Sequence, residues 1–173
     1  LRYLELKGWV ESKEHVKVKQ EVDAISFKNS PEYNAELELK KLLKDSAFKN
    51  YLKFANTETP NFFNKVKQSG LVEEYVELKN FVSSPDYKKD RSTHKKENTP
   101  EYQKEIRFHE LNSNNDLKKY FKLQNDKSLK DYFNIEGSQT LSKYNELKTK
   151  VESQEFAERK KYLLSKNKFE QTD

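Results

Sequence analysis

Cysteine is absent from this 173-residue chain, which removes disulfides, thiolate catalysis and thiolate metal sites together. Methionine is absent too, so we expect the chain to be a piece cut from a longer translated product. Only three glycines and four prolines occur, too few for a low-complexity disordered linker. No apolar run approaches the about 18 residues of a membrane span, and the residues after Leu1 carry neither the basic nor the apolar region of a signal peptide. No glycine-rich loop leads into Lys-Ser or Lys-Thr, and there is no Gly-x-Ser-x-Gly elbow, so the common phosphate-loop and serine-hydrolase motifs are missing. Apolar side chains are scarce as well. They make up 33% of the chain against 36% charged, where ordinary domains hold about 45 to 50% and about 25%.

Such a composition borders on disorder, yet 21 of the residues are phenylalanine or tyrosine and one is tryptophan. Their spacing is helical. An elongated stack of helices, with a thin continuous core and much surface, reconciles high charge with order. The net charge of +5 is a weak bias because both signs are interspersed along the helix faces.

The organising feature is a repeat. Residues 75–87 read YVELKNFVSSPDY, residues 3–15 read YLELKGWVESKEH, and residues 144–156 read YNELKTKVESQEF. With Leu6, Leu78 and Leu147 as anchors, weaker copies stand at Leu39 and Phe108, so the steps are 33, 39, 30 and 39 residues. Six residues after each anchor come Ser12, Asp45, Ser84, Asn114 and Ser153. Each of these types makes a good helix N-cap, its side-chain oxygen accepting from an amide left unpaired in the first turn. Three residues after each cap comes a large side chain, His15, Phe48, Tyr87, Leu117 or Phe156. The expected unit is a helix, a tight corner and a second helix that turns a ring back onto the first. Leu78 and Val82 are expected in the core, and Ser84 at a cap.

A larger period joins unlike units. At a shift of 69, Pro31, Glu32 and Tyr33 fall on Pro100, Glu101 and Tyr102, while Tyr51 falls on Tyr120 and Phe63 on Tyr132. The expected fold is all-α, an elongated array of helical hairpins with an internal repeat of about 69 to 72 residues. Residues 1–29 would be a partial repeat, 30–98 a full one, and 99–173 a full one with the start of the next at Thr172 and Asp173. Thr59-Pro60 opens an extra short helix carrying Phe62, Phe63 and Val66, and Gly70 and Gly137 read as connectors. Residues 86–98, with Lys88, Lys89, Arg91, Lys95 and Lys96, should form an exposed or poorly ordered helix.

The histidines point to no metal. His15 occupies a packing position of the repeat, and His94 lies among lysines. His109-Glu110 begins like a zinc-protease helix, but Ser113 stands where the second histidine belongs. Glu5, Glu38, Glu77 and Glu146 recur beside Lys7, Lys40, Lys79 and Lys148, the mark of solvated helix faces, whereas a hydrolase needs one unique carboxylate pair. The residues best suited to binding are Lys49, Tyr51 and Lys53, with Lys118, Lys119, Tyr120 and Lys122 in the matching unit. Rings alternating with cations suit nucleic acid or another polyanion. Against this stands a burial role for Phe48, Tyr51, Leu52 and Phe54, with the lysine stems at the rim.

The stretches YVELKNFVSSPDY, SPEYNAELELKKLL and LKKYFKLQNDKSLKDYF resemble the helical repeats that precede family-16 glycoside hydrolase-like, laminarinase-type modules in bacterial proteins. That resemblance spans nearly the whole chain. It implies a non-catalytic appendage that spaces, docks or targets a carbohydrate-active module, in a bacterial protein that is secreted, at the cell surface or cytoplasmic. The catalytic Glu-x-Asp-x-x-Glu strand of those enzymes has no match here, so no catalytic residue carries over. A lesser likeness, to FF-type helical modules that bind phosphorylated tails, rests on the phenylalanine-rich short helices.

The function expected is therefore non-enzymatic, with no cofactor: a spacer or protein-interaction segment whose partner is another protein or an adjacent domain of the same chain. Binding of nucleic acid or another polyanion is the alternative.

Overall fold

The computed structural model describes residues 2–166 and 168. They form an all-α chain, with twelve α-helices, one 3-10 turn and no strand among the described residues. The contacts divide it into two compact units, one made of Leu1–Asp45 with Gly137–Asp173 and the other of Ser46–Glu136. The second unit takes the later part of one sequence repeat and the earlier part of the next. The repeat start expected at Thr172 and Asp173 lies outside the described residues.

The first unit holds α1 (Arg2–Val10), α2 (Lys13–Ala24), the 3-10 turn Phe27–Asn29, α3 (Pro31–Lys44), α11 (Gln139–Val151) and α12 (Gln154–Leu164). Here α1 packs with α2, α3 with α11, and α12 against both α11 and the 3-10 turn. Ala35, Phe156 and Leu163 are its buried apolar residues. The second unit holds α4 (Ser46–Phe54), α5 (Thr59–Gln68), α6 (Leu71–Ser83), α7 (Pro85–Glu97), α8 (Pro100–Ser113), α9 (Asn115–Gln124) and α10 (Lys127–Ile135). Within it α4 lies on α10, α5 on α9 and α6 on α8, while α7 joins α6 to α8.

That pairing is nested, whereas the repeat suggested hairpins of consecutive helices. The corners explain the difference. α8 and α9 are separated by Asn114 alone, and α6 and α7 by Ser84 alone, while an antiparallel helical hairpin takes a loop of about two to five residues. A one-residue corner redirects the chain without returning it alongside. The apolar stripes of α4, α5 and α6 are then covered from across the unit, by helices that arrive later in the chain.

The corners themselves form as their residue types demand. Ser12, Ser84, Asn114 and Ser153 each accept a hydrogen bond from the amide three residues on, that of His15, Tyr87, Leu117 and Phe156. Asp45 stands between α3 and α4 with extended backbone angles. The large residues after the caps go inward: Phe48 is 0% exposed, Leu117 1%, Tyr87 4% and Phe156 5%. Two rings turn back onto the preceding helix as expected, His15 edge-on to Trp9 at 4.5 Å and Tyr87 against Phe81 at 4.8 Å. The Ser84 hydroxyl accepts from Tyr87 N–H at 3.3 Å and donates to the Phe81 carbonyl at 2.7 Å. Ser84→Ala is expected to cost about 1 kcal/mol in chemical denaturation; an unchanged midpoint would remove the cap from the account.

The expected core residues Leu78 and Val82 are only half-buried. Leu78 rims a cluster whose buried members are Val66, Leu111, Leu117 and Tyr120. The extra helix expected after Thr59-Pro60 forms as α5. α5 runs ten residues, buries Pro60 and Val66, and stacks Phe63 on Tyr120 at 4.6 Å. Gly70 and Gly137 do serve as connectors, with φ of +79° and +70°, a conformation strained for any residue with a Cβ.

Candidate interaction surface

The Lys-Tyr-Lys segments do not present their rings. Tyr51 is 9% exposed and Tyr120 3%, and each stacks on an aromatic partner, Tyr51 on Tyr132 at 5.3 Å and Tyr120 on Phe63 at 4.6 Å. Helix geometry requires this. Residues two apart on an α-helix lie about 200° apart around the axis, so Lys49 and Lys53 point away from the face that Tyr51 buries, as Lys118 and Lys122 do from Tyr120. The lysines at 49, 53, 118, 119 and 122 are exposed. Lys53 Nζ lies 5.4 Å from the centroid of the Phe54 ring and Lys119 Nζ 4.2 Å from that of Phe62. The alternating ring-and-cation platform is therefore corrected to a cationic rim over a closed aromatic core. Of the four residues weighed for burial, Phe48, Tyr51 and Phe54 are buried and Leu52 is 40% exposed.

A buried acid is the strongest electrostatic feature of the second unit. Glu105 of α8 is 3% exposed. Its carboxylate accepts from Tyr87 Oη at 2.5 Å, from Arg91 Nη2 at 2.6 Å and from Arg91 Nε at 3.0 Å, with His109 Nε2 at 3.4 Å. The Arg91 bonds hold the carboxyl down at a pKa of about 2, against the opposing effect of burial. Burial and the bond to Glu105 push the Tyr87 phenol up to about 12. His94 stacks on Tyr87 at 5.6 Å and its Nδ1 lies 3.0 Å from Thr99 Oγ1.

Such a cluster would suggest chemistry if it were unique, but at the shift of 69 the first unit repeats it. Glu36 pairs with Lys160, and Lys40 approaches the same carboxylate at 3.9 Å. These are the equivalents of Glu105, Arg91 and His109. A second cross-helix pair also recurs, with its signs exchanged: Glu74 with Arg107 at 2.8 Å between α6 and α8, and Lys143 with Glu38 at 2.9 Å between α11 and α3. Charges that return in both units at matching positions fasten helices to one another. Sequence inspection had the signal for this, since the shift of 69 that aligned Tyr33 with Tyr102 also aligns Glu36 with Glu105.

The surface left over is apolar. On α1, Tyr3 is 75% exposed, Leu4 69%, Leu6 56%, and Trp9 and Val10 51% each; Val16 and Val18 follow on α2 at 48% and 39%, and Ile25 just past its end at 43%. No residue of α1 or α2 is buried. Helical spacing puts Tyr3, Leu6, Trp9 and Val10 on one face of α1, and at about 25 cal/mol per Å² such side chains left in water are a substantial free energy that a partner recovers. Among the described residues, no three His, Asp or Glu side chains gather to hold a metal ion, and no helix is long and apolar enough to cross a membrane. No protein-family model, curated protein or solved structure matches this chain.

Proposed function

We propose that this chain is a non-catalytic helical segment that docks to a protein partner or to an adjacent domain of its own polypeptide. The resemblance of its repeats to those preceding laminarinase-type modules suggests a carbohydrate-active protein as the setting. One observation carries the proposal: the apolar stripe of α1, where Tyr3, Leu6, Trp9 and Val10 are each at least half exposed although their equivalents on α6, Tyr75, Leu78, Phe81 and Val82, are half-buried. The acid–base pairs support it from the other side, because the paired carboxylates hold helices together and return with the repeat.

The test is photo-crosslinking in an extract of the source cells, with benzoyl-phenylalanine at position 9, on the stripe, or at positions 49 and 118, on the cationic rim. Adducts from position 9 to a polypeptide are the expected result. The alternative, a polyanion binder, draws on the exposed lysines at 49, 53, 118, 119 and 122. It predicts adducts from 49 and 118 to nucleic acid, lost steeply as salt rises. That outcome, or no adduct from position 9, would overturn the docking proposal.

A further inference from the structure

The repeat identifies what belongs on the uncovered stripe. With Leu6 aligned to Leu78 and Leu147, the residues Arg2, Tyr3, Trp9 and Val10 stand where α6 has Glu74, Tyr75, Phe81 and Val82, and where α11 has Lys143, Tyr144, Lys150 and Val151. The equivalent face is covered in both units, each time by a helix of one kind. In the second unit α8 covers α6. The Tyr75 ring lies on Phe108 at 5.6 Å, its hydroxyl donates to Asn112 Oδ1 at 3.2 Å, and Lys104 Nζ sits 4.9 Å from the centroid of the Phe81 ring. In the first unit α3 covers α11. Both covering helices have 14 residues, open on Pro-Glu-Tyr and carry a Ser or Thr cap, Ser30 or Thr99. Among the described residues no third helix of that kind occurs, and α1 packs with α2.

Charge selects between the two versions. The position before the tyrosine on the covered helix meets the eighth residue of the covering helix: Glu74 meets Arg107, and Lys143 meets Glu38. On α1 that position is Arg2, so the complementary covering helix carries a carboxylate there, as α3 does and α8 does not. Building on the docking function proposed above, we infer that the stripe of α1 is the seat of an amphipathic helix of the α3 type. It would be supplied by another polypeptide segment, opening on Pro-Glu-Tyr with an acidic residue at its eighth position. The α3 helix of a second copy is a poor donor, because in its own chain it already lies on α11 and pairs Glu38 with Lys143.

Trp9 is the only tryptophan and is 51% exposed, so its emission reports occupancy of the stripe directly. The probes are two lactam-stapled peptides, residues 30–45 and residues 99–114 of this chain, with stapling to remove the helix-forming cost of short free peptides. The first peptide should shift Trp9 emission to the blue with saturation. It should bind about three- to five-fold more tightly than the second, the scale of one exposed charge pair, and Arg2→Glu should reverse the order. No blue shift with either peptide at millimolar concentration would overturn the assignment. So would equal affinities untouched by Arg2→Glu, or a blue shift that appears on raising the chain's own concentration without peptide, which would make a second copy the occupant. Adducts from position 9 to a polypeptide, combined with no response to either peptide, would sink the α3-type helix and leave the docking function standing.

Discussion

Phe48→Ala is expected to lower the unfolding free energy by about 3 to 5 kcal/mol, the range for deleting a large ring from a packed core. Phe48 is 0% exposed, three residues past the Asp45 corner in the first turn of α4, with its ring centroid 5.6 Å from that of Tyr51. Tyr51 in turn stacks on Tyr132 of α10. Truncation at 48 therefore opens a cavity beside a ring that couples two helices. The equivalent position in the next repeat is Leu117, 1% exposed, so leucine is a side chain this environment has already accommodated. Phe48→Leu should cost only about 1 to 2 kcal/mol. Urea denaturation of both variants checks the pair of values. A loss near zero for Phe48→Ala would mean that the corner residues lie outside the core, and with them the account of how the helices are joined.

The contrast between Phe48 and Tyr51 shows how far the sequence could be read. The corner was legible because capping is local: a Ser, Asp or Asn oxygen reaches an amide three residues on, and the ring that follows is forced toward the preceding helix. Helix boundaries were legible for the same reason, Pro31, Pro85 and Pro100 each standing at the first helical position. Which helix covers which was not legible, because nothing within α4 specifies α10, more than seventy residues further along the chain. The binding platform failed on periodicity. Lys49, Tyr51 and Lys53 alternate as they would on one face of a strand, but in a helix alternate residues point to opposite sides.

The Glu105 cluster is hidden in the sequence because Arg91, Glu105 and His109 look like ordinary surface residues of polar helices and Tyr87 reads only as a packing ring. Only the fold brings them onto one carboxylate. The uncovered stripe was hidden for the opposite reason. Tyr3, Leu6, Trp9 and Val10 carry the core pattern of the repeat, so sequence alone places them inside.

Glu105→Gln should lose about 2 kcal/mol of stability at neutral pH, a value already reduced for solvent screening of the half-exposed Arg91, and the loss should disappear in acid. The sign follows from the direction of the shift. The folded carboxyl titrates at about 2, below its ordinary value of 4.5, so its contribution is fully present above about pH 4.5 and is lost as pH falls through about 2. Wild type and Glu105→Gln should thus differ most above pH 4.5 and converge near pH 2. Tyr87 adds an alkaline limb of opposite origin. Its folded pKa of about 12 lies above the ordinary 10, so the protonated phenol favours the fold, and that contribution is lost as pH rises from about 10 through about 12. Tyr87→Phe should abolish this alkaline limb at a cost near 1 kcal/mol at neutral pH. The cost stays small because the residue corresponding to Tyr87 at the shift of 69 is Phe156, buried without a hydroxyl, in the unit where Glu36 keeps its two lysines. Denaturation midpoints measured from about pH 2 to about pH 12 for the three proteins decide the matter. Parallel wild-type and Glu105→Gln curves across the acid range would mean that the buried carboxylate does not hold α7 to α8.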